Sequence, residues 1–141
     1  LRLVGSEMCI RDRATARAYG LTADNMAVND RSIATATRII AALDRTLRSR
    51  VKDPDERRKF IIAAYNSGLA HILDAIALAE KYGYDPQRWD GHVAQALLLK
   101  SKPEYYNDPV CKYGYFSGRQ TTGYVREVYE FYQRAKSKIH I

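Results

Sequence analysis

The chain has 141 residues, enough for one domain with a hydrophobic core and too few for two. Its composition, 46% hydrophobic and 28% charged, excludes a disordered, collagen-like or low-complexity protein. Lys and Arg outnumber Asp and Glu by 23 to 16, and the resulting charge of +7 suits an anionic partner: nucleic acid, a membrane surface or a cell-wall polymer. No apolar run is long enough to span a bilayer, and Cys9 and Cys111 form neither a disulfide framework nor a zinc-ligand spacing.

The first thirteen residues (LRLVGSEMCIRDR) have neither helical nor strand periodicity. They are not a signal peptide, because Glu7 interrupts a very short apolar start. The string from Val4 to Arg13 looks like a translated adapter or vector junction, and a native disordered lead-in is the alternative. We therefore expect residues 1–13 to be non-native and residues 14–141 to be the part that folds.

Apolar residues at spacings of three and four predict a series of helices and no strand after residue 13. The predicted helices cover residues 14–19, 31–49, 54–66, 69–82, 93–100 and 117–138. Residues 84–90 are predicted to form a turn, and residues 101–116 a loop. The sequence thus predicts an all-α domain with short connections.

Local signals refine three of these helices. Asp53 is expected to cap the helix that follows it, with Glu56 completing a capping box. The periodicity places an inner face on the helix of residues 31–49 at Ile33, Ala36, Ile40, Leu43 and Leu47. It places the inner face of the last helix at Tyr124, Val128, Phe131, Tyr132 and Ala135.

Two segments carry polar groups at helix ends. The segment AAYNSG (63–68) brings the phenol of Tyr65 and the amide of Asn66 to a helix end, where they can line a polar cleft. On spacing alone the commoner alternative is that Asn66 caps its own helix and Tyr65 belongs to the core. The segment QTTGYV (120–125) leads a hydroxyl-rich turn into Tyr124, which is also more often packing than site.

No metal or cofactor site is expected, because the histidines lack metal-ligand spacing. His71 and Asp74 are expected to decorate a helix surface. The basic pair Lys100 and Lys102 is expected at a solvated helix end. No acidic residue is an obvious buried general acid, so the residues alone indicate a basic, tyrosine-rich helical domain.

In their amino-acid sequence and in their order along the chain, these segments resemble the catalytic domain of the lytic murein transglycosylases, a lysozyme-like family that includes goose-type lysozymes. Ala14–Gly20 resembles the family's Met-Pro-x-Thr-Ala…Gly-Leu segment, Ala63–Gly68 its Ala-Ala-Tyr-Asn-Ala-Gly signature, and Thr121–Val125 its closing Glu-Thr-x-x-Tyr-Val motif. Residues 69–89 resemble the membrane-bound F type. The resemblance covers nearly everything after Arg13 and implies a partial, all-α, lysozyme-like domain of the transglycosylase type.

The resemblance implies cleavage of the β-1,4 bond between N-acetylmuramic acid and N-acetylglucosamine, leaving a 1,6-anhydro end. In the family a single Glu protonates the leaving oxygen. Its motif precedes the segment that matches Ala14, so we expect no catalytic residue in this chain, and Glu7 is not assigned that role. By the same resemblance, Tyr65, Asn66 and Tyr124 bind substrate, the first two beside the catalytic Glu and Tyr124 facing it.

Two other functions remain open on the sequence. A non-catalytic glycan-binding module would share the groove without the acid. A basic nucleic-acid-binding domain is less favoured, because the Lys and Arg residues are spread over every helix. We expect peptidoglycan strands as the partner and no nucleic acid. The family resemblance implies the periplasm or outer membrane, with any membrane anchor lying upstream of this chain.

Overall fold

The structure, a computed structural model, describes residues 29–139, and side-chain burial for residues 33–138. Its helices are α1 (Asn29–Leu47), α2 (Pro54–Ser67), α3 (Leu69–Lys81), α4 (Ala94–Leu99), α5 (Pro103–Tyr106) and α6 (Arg119–Ile139). A kinked turn at Trp89–Val93 leads into α4. No strand occurs within these residues, so the predicted all-α class of a lysozyme-like transglycosylase domain is confirmed. The predictions for residues 1–13 and 14–19 lie outside the described residues.

The core lies where α2 and α3 meet the end of α1, α4 and the start of α6. Phe60 of α2 packs edge-on against Trp89, with ring centroids 5.4 Å apart. Burying one large apolar side chain contributes about 1.5–3 kcal/mol, so this core holds the ends of several helices in fixed positions. Its fully buried members include Leu47, Val51, Ala63, Ile72, Ala75, Leu78, Ala79, Val93, Ala96 and Leu97.

The start of α2 follows the sequence signal in one respect and departs from it in another. Asp53 Oδ1 accepts a hydrogen bond from the backbone N–H of Asp55 at 2.9 Å, as an N-cap should. The capping-box prediction for Glu56 is wrong, because its Oε1 accepts from the backbone N–H of Trp89 at 2.8 Å. Its Oε2 lies 3.0 Å from Lys59 Nζ. Glu56 therefore ties the kinked turn to α2.

The predicted inner face of α1 is correct at Leu43 and Leu47, which lie in or against the core, and wrong at its two isoleucine positions. Ile33 and Ile40 are exposed, whereas Thr35, Ile39 and Leu47 are buried. Leu47 lies in the core at the end of the helix, and counting back from it by fours gives positions 43, 39 and 35. The tertiary contact at the end of α1 thus sets the rotation of the whole helix, and both phases of its apolar pattern satisfy local periodicity.

The predicted inner face of α6 is also wrong in part. Thr121 and Val125 are its buried residues, and Phe131 is 64% exposed. Gly118 explains the rotation, because it packs directly on α4: a Cβ added there would lie 2.9 Å from Leu97 Cγ. This close approach fixes which residues of the following turns face the core.

A buried ion pair joins α3 to the end of α4. Lys100 Nζ donates to Asp74 Oδ2 at 2.7 Å and lies 2.8 Å from His71 Nδ1, and the Lys100 residue is fully buried. Asp74 also accepts from the backbone N–H groups of Lys112 and Tyr113, both at 3.0 Å. The predictions of a surface His71–Asp74 pair and a solvated Lys100 are therefore wrong. Burial of both charges against the 107–118 segment is a tertiary effect.

The segment predicted as a loop contains the single-turn helix α5 and a second anchor. Asp108 Oδ2 accepts from Lys81 Nζ at 2.7 Å and from the Tyr82 hydroxyl at 2.6 Å. These hydrogen bonds, with one from the Val110 backbone N–H, lower the pKa of Asp108 to about 2. Two buried carboxylates thus hold residues 107–113 against α3.

Candidate substrate groove

The end of α2 and the start of α6 meet at one short hydrogen bond. Thr121 Oγ1 donates to Asn66 Oδ1 at 2.7 Å, and Thr121 is only 1% exposed. Ala63 and Ala64, which precede Asn66 in α2, are buried, and α2 is in contact with α6. The two polar segments of the sequence are therefore neighbours in space, although 55 positions separate Asn66 from Thr121.

Asn66 does not cap its own helix. The backbone N–H of Gly68 bonds to the carbonyl of Ala64 at 2.8 Å and closes α2, with Gly68 at a φ of 95°. The amide oxygen of Asn66 is used between helices instead. Its amide nitrogen has no hydrogen-bond partner in the part of the chain that the structure describes, so it can donate to a ligand.

A groove of about 490 Å³ runs along one face of α6. Its polar end is at the first turn of the helix, and its apolar end is at the exposed ring of Phe131. The volume is within the usual range of ligand pockets, about 300–1,000 Å³. The described lining residues are Arg119, Gln120, Gly123, Tyr124, Glu127, Val128 and Phe131.

The three predicted substrate-binding residues occupy different places around this groove. Tyr124 lines it and is partly buried. Asn66 is bonded to Thr121, which lies one helical turn before Tyr124. Tyr65 is partly buried at the end of α2, and neither it nor Asn66 is among the described lining residues. The structure thus joins the helix segments that carry the three residues and places Tyr124 in the groove itself.

Arg119, Glu127 and Phe131 line the groove, although no motif or resemblance in the sequence predicts them as groove residues. Together with Gly123 they form a row at spacings of four, which is one face of a helix. That row was readable in the sequence. What sequence reasoning lacked was the rotation of α6, which turns this row away from the core.

Aromatic and basic side chains fasten the middle of α6 to α2. Lys59 Nζ lies 4.9 Å from the ring centroid of Tyr129, and the Arg58 guanidinium lies 5.1 Å from that of Tyr132. Partial burial lowers the pKa of Lys59, but hydrogen bonds to Asp90 and Glu56 outweigh it and leave the pKa raised. The charged side chains of Arg58 and Lys59 therefore pack against the part of α6 that contains Tyr129 and Tyr132.

The described residues offer neither a metal centre nor an activated thiol. No group of three or more His, Cys, Asp or Glu side chains among them is arranged to hold a metal ion. Burial raises the pKa of the Cys111 thiol, which disfavours the nucleophilic thiolate. Within the same residues, no helix has both the length and the apolar character needed to cross a membrane.

Comparison with known proteins identifies several relatives, whereas no protein-family model matches the chain. A membrane-bound lytic murein transglycosylase F of Desulfosudis oleivorans is 33% identical over 123 residues, 84% of this chain and 26% of the relative. Proteins of the same name from Thiobacillus denitrificans and Saccharophagus degradans are 36% and 37% identical over 80% and 73% of this chain. The chain spans about a quarter or less of the length of these relatives. Over most of its length, the chain is therefore a relative of the lytic murein transglycosylases.

Proposed function

We propose that this chain forms the substrate-groove part of a peptidoglycan lytic transglycosylase. The complete protein would cleave the β-1,4 bond between N-acetylmuramic acid and N-acetylglucosamine and leave a 1,6-anhydro end. The observation that carries the proposal is the hydrogen bond between Asn66 and Thr121. It brings the two segments that resemble the family's motifs together beside a groove of sufficient size for sugar rings.

The three residues have complementary roles in this proposal. The ring of Tyr124 presents a flat apolar face to a sugar, and its hydroxyl offers a polar edge. The amide nitrogen of Asn66, to which no described residue is hydrogen-bonded, donates to an acetamido or hydroxyl oxygen. Tyr65 supports both at the end of α2.

The proposal assigns the general acid to no described residue. A carboxyl group that donates a proton near neutral pH needs a raised pKa. The buried carboxylates of residues 33–138 are Asp74 and Asp108, and hydrogen bonds from lysines and backbone N–H groups leave the pKa of each lowered. Both are thus held as anions, which is the reverse of what the reaction requires.

We propose the periplasm or the outer membrane as the location. The support is the name of the relatives, which are membrane-bound lytic murein transglycosylases. The substrate of the proposed reaction is also found in that compartment.

The test is binding of the chain to purified glycan strands from which the peptides have been removed. We expect saturable binding that falls at least about tenfold in Tyr124→Ala, because an aromatic anchor in a groove carries much of the binding energy. Tyr113→Ala is the control, since Tyr113 is exposed outside the groove. Circular dichroism checks that each variant folds.

Two results would contradict the proposal: no glycan binding by the unaltered chain, or equal loss in both variants. Digestion of whole sacculi by the chain and product analysis for anhydro ends then addresses catalysis. If the chain binds glycan strands but releases no anhydro product, the result supports the proposal that no described residue is the general acid.

A further inference from the structure

Thr121 differs from three other helical threonines of the chain in the use of its hydroxyl group. In α1, the hydroxyls of Thr37 and Thr46 donate to backbone carbonyls one turn earlier in the same helix, at 2.9 and 3.0 Å. Thr122 likewise donates to a carbonyl of its own helix, α6. The hydroxyl of Thr121 instead crosses to α2 and donates to Asn66 Oδ1. Thr121 therefore acts on the side chain of another helix.

This bond selects one of the two orientations of the Asn66 amide, which differ by an exchange of its oxygen and its nitrogen. Thr121 is 1% exposed, and among the described residues its hydroxyl donates only to Asn66. If the amide were reversed, its nitrogen would face Thr121, and the hydroxyl hydrogen would be buried without an acceptor. Such a buried donor costs free energy. Thr121 thus holds Asn66 with its oxygen turned toward α6.

The amide nitrogen of Asn66 is the group that this orientation leaves for a ligand. It has no hydrogen-bond partner within residues 33–138, whereas every buried side-chain nitrogen or oxygen described there has one. The nitrogen therefore reaches solvent, at the junction of α2 with α6. An amide nitrogen donates two hydrogens and accepts none. A ligand bound at this place must offer an oxygen that accepts.

We propose that Thr121 is a positioning residue for glycan binding. It acts on the glycan strand through Asn66, by keeping the amide nitrogen of Asn66 directed toward the ligand. Thr121 itself is not among the described residues that line the groove. The inference rests on the proposed function, because its ligand is the glycan strand of the groove, whose hydroxyl and acetamido oxygens are acceptors.

Asn66→Asp separates the two uses of the Asn66 side chain. A carboxylate still accepts from the hydroxyl of Thr121, but it has no hydrogen to donate to a ligand. We expect this variant to stay folded by circular dichroism and to bind peptide-free glycan strands at least about tenfold more weakly than the unaltered chain. Unweakened binding by Asn66→Asp would overturn the inference, whether or not the variants of Thr121 fold.

Two substitutions of Thr121 test its hydroxyl directly. Thr121→Val removes the group that orients the amide, and we expect it to bind the strands at least about fivefold more weakly. Thr121→Ser keeps the hydroxyl and is expected to recover most of the affinity. Thr122→Val is the matched control, because the Thr122 hydroxyl bonds within α6 and Thr122 is not a described groove residue. Unchanged binding by Thr121→Val, or no recovery in Thr121→Ser, would contradict the proposal.

A double variant shows whether Thr121 acts through Asn66. The two oxygens of a carboxylate are equivalent, so Thr121 has no orientation to impose on an aspartate at position 66. In the Asn66→Asp background, we therefore expect Thr121→Val to cause no further loss of glycan affinity. A further loss as large as that in the unaltered background would mean that the hydroxyl only supports the structure of the groove, and the inference would fall.

Tyr124→Ala distinguishes failure of this inference from failure of the proposed function. If the strands bind the unaltered chain and Thr121→Val equally but bind Tyr124→Ala weakly, the proposed function stands and Thr121 is not a positioning residue. If the unaltered chain does not bind the strands, the proposed function fails and this inference fails with it.

Discussion

The hydroxyl of Thr121 donates to the amide oxygen of Asn66 at 2.7 Å, in a junction from which the Thr121 side chain is almost completely excluded from water. This bond fixes the start of α6 against the end of α2. It therefore also fixes the position of the groove wall that carries Tyr124 relative to the AAYNSG segment.

Thr121→Val tests the energetic weight of that bond. Valine has nearly the same shape and leaves the oxygen of Asn66 without its donor, so we expect a loss of about 1–2 kcal/mol in the free energy of unfolding. Urea denaturation measures it. Thr122→Val is the control, because the Thr122 hydroxyl bonds to the carbonyl of Arg119 at an exposed position, and we expect a change within about 0.5 kcal/mol. Equal losses would show that the contact between α2 and α6 does not depend on the bond.

Lys100→Met is expected to destabilise the chain by about 3–5 kcal/mol, because it leaves the Asp74 carboxylate buried without its cation. Lys102→Met, at an exposed position two residues later, is expected to change stability by less than about 0.5 kcal/mol. Chemical denaturation of both variants makes the comparison.

Removing both charges is not expected to restore stability. In the double variant Asp74→Leu with Lys100→Met, the backbone N–H groups of Lys112 and Tyr113 lose their acceptor. Each buried N–H group without a partner costs about 1–3 kcal/mol. A double variant as stable as the unaltered chain would mean that these two amides find water instead.

Replacing Gly118, which directly precedes α6, and Gly123, which lies within α6, by alanine should change the free energy of unfolding in opposite directions. At Gly118 an added Cβ would lie 2.9 Å from Leu97 Cγ and 3.1 Å from the Leu97 carbonyl oxygen, so we expect Gly118→Ala to destabilise by about 1–3 kcal/mol. At Gly123 nothing lies within 4 Å of an added Cβ. Gly123→Ala is expected to stabilise by about 0.5–1 kcal/mol through helix propensity. Thermal unfolding of the pair provides the measurement, and a shared sign would contradict the close contact between α6 and α4.

The acid limb of stability should depend on Asp108. The hydrogen bonds from Lys81, Tyr82 and the Val110 backbone lower its pKa from 3.8 to about 2. Because the pKa of Asp108 is lower in the folded chain than in the unfolded chain, the unfolded chain binds more protons between these two values. The stabilising contribution of Asp108 is therefore complete above pH 3.8 and is lost as the pH falls through about 2. Asp108→Asn is expected to flatten the dependence of stability on pH in this window. The lowered pKa values of Asp44 and Asp74 leave a residual slope of the same sign.

The sequence predicted the helix positions well because capping residues and glycine stops act locally. Asp53 and Gly68 define α2 within one or two residues of the prediction. α5 was missed because one turn between Pro103 and Tyr106 is too short to show periodicity.

What the sequence did not predict depends on partners distant in the chain. Helical periodicity allows either Ile39 or Ile40 to face the core, and the burial of Leu47 at the end of α1 selects Ile39. Lys100 appeared as a solvated charge, because its partner Asp74 lies 26 positions away. At the groove, the resemblance named Tyr65, Asn66 and Tyr124, whose roles toward substrate stay predictions. The bond from Thr121 that organises the junction had no local signal.

The two hydrogen bonds that Asp74 accepts from the backbone should slow the amide hydrogen exchange of residues 112 and 113. The N–H groups of Lys112 and Tyr113 lie in an irregular segment, where amide hydrogens normally exchange with solvent quickly. Both donate to the carboxylate of Asp74, a residue of α3 that is buried together with Lys100. These amides exchange only when α3 and the segment separate, so their protection in deuterated water reports on opening of the core rather than on motion of a loop.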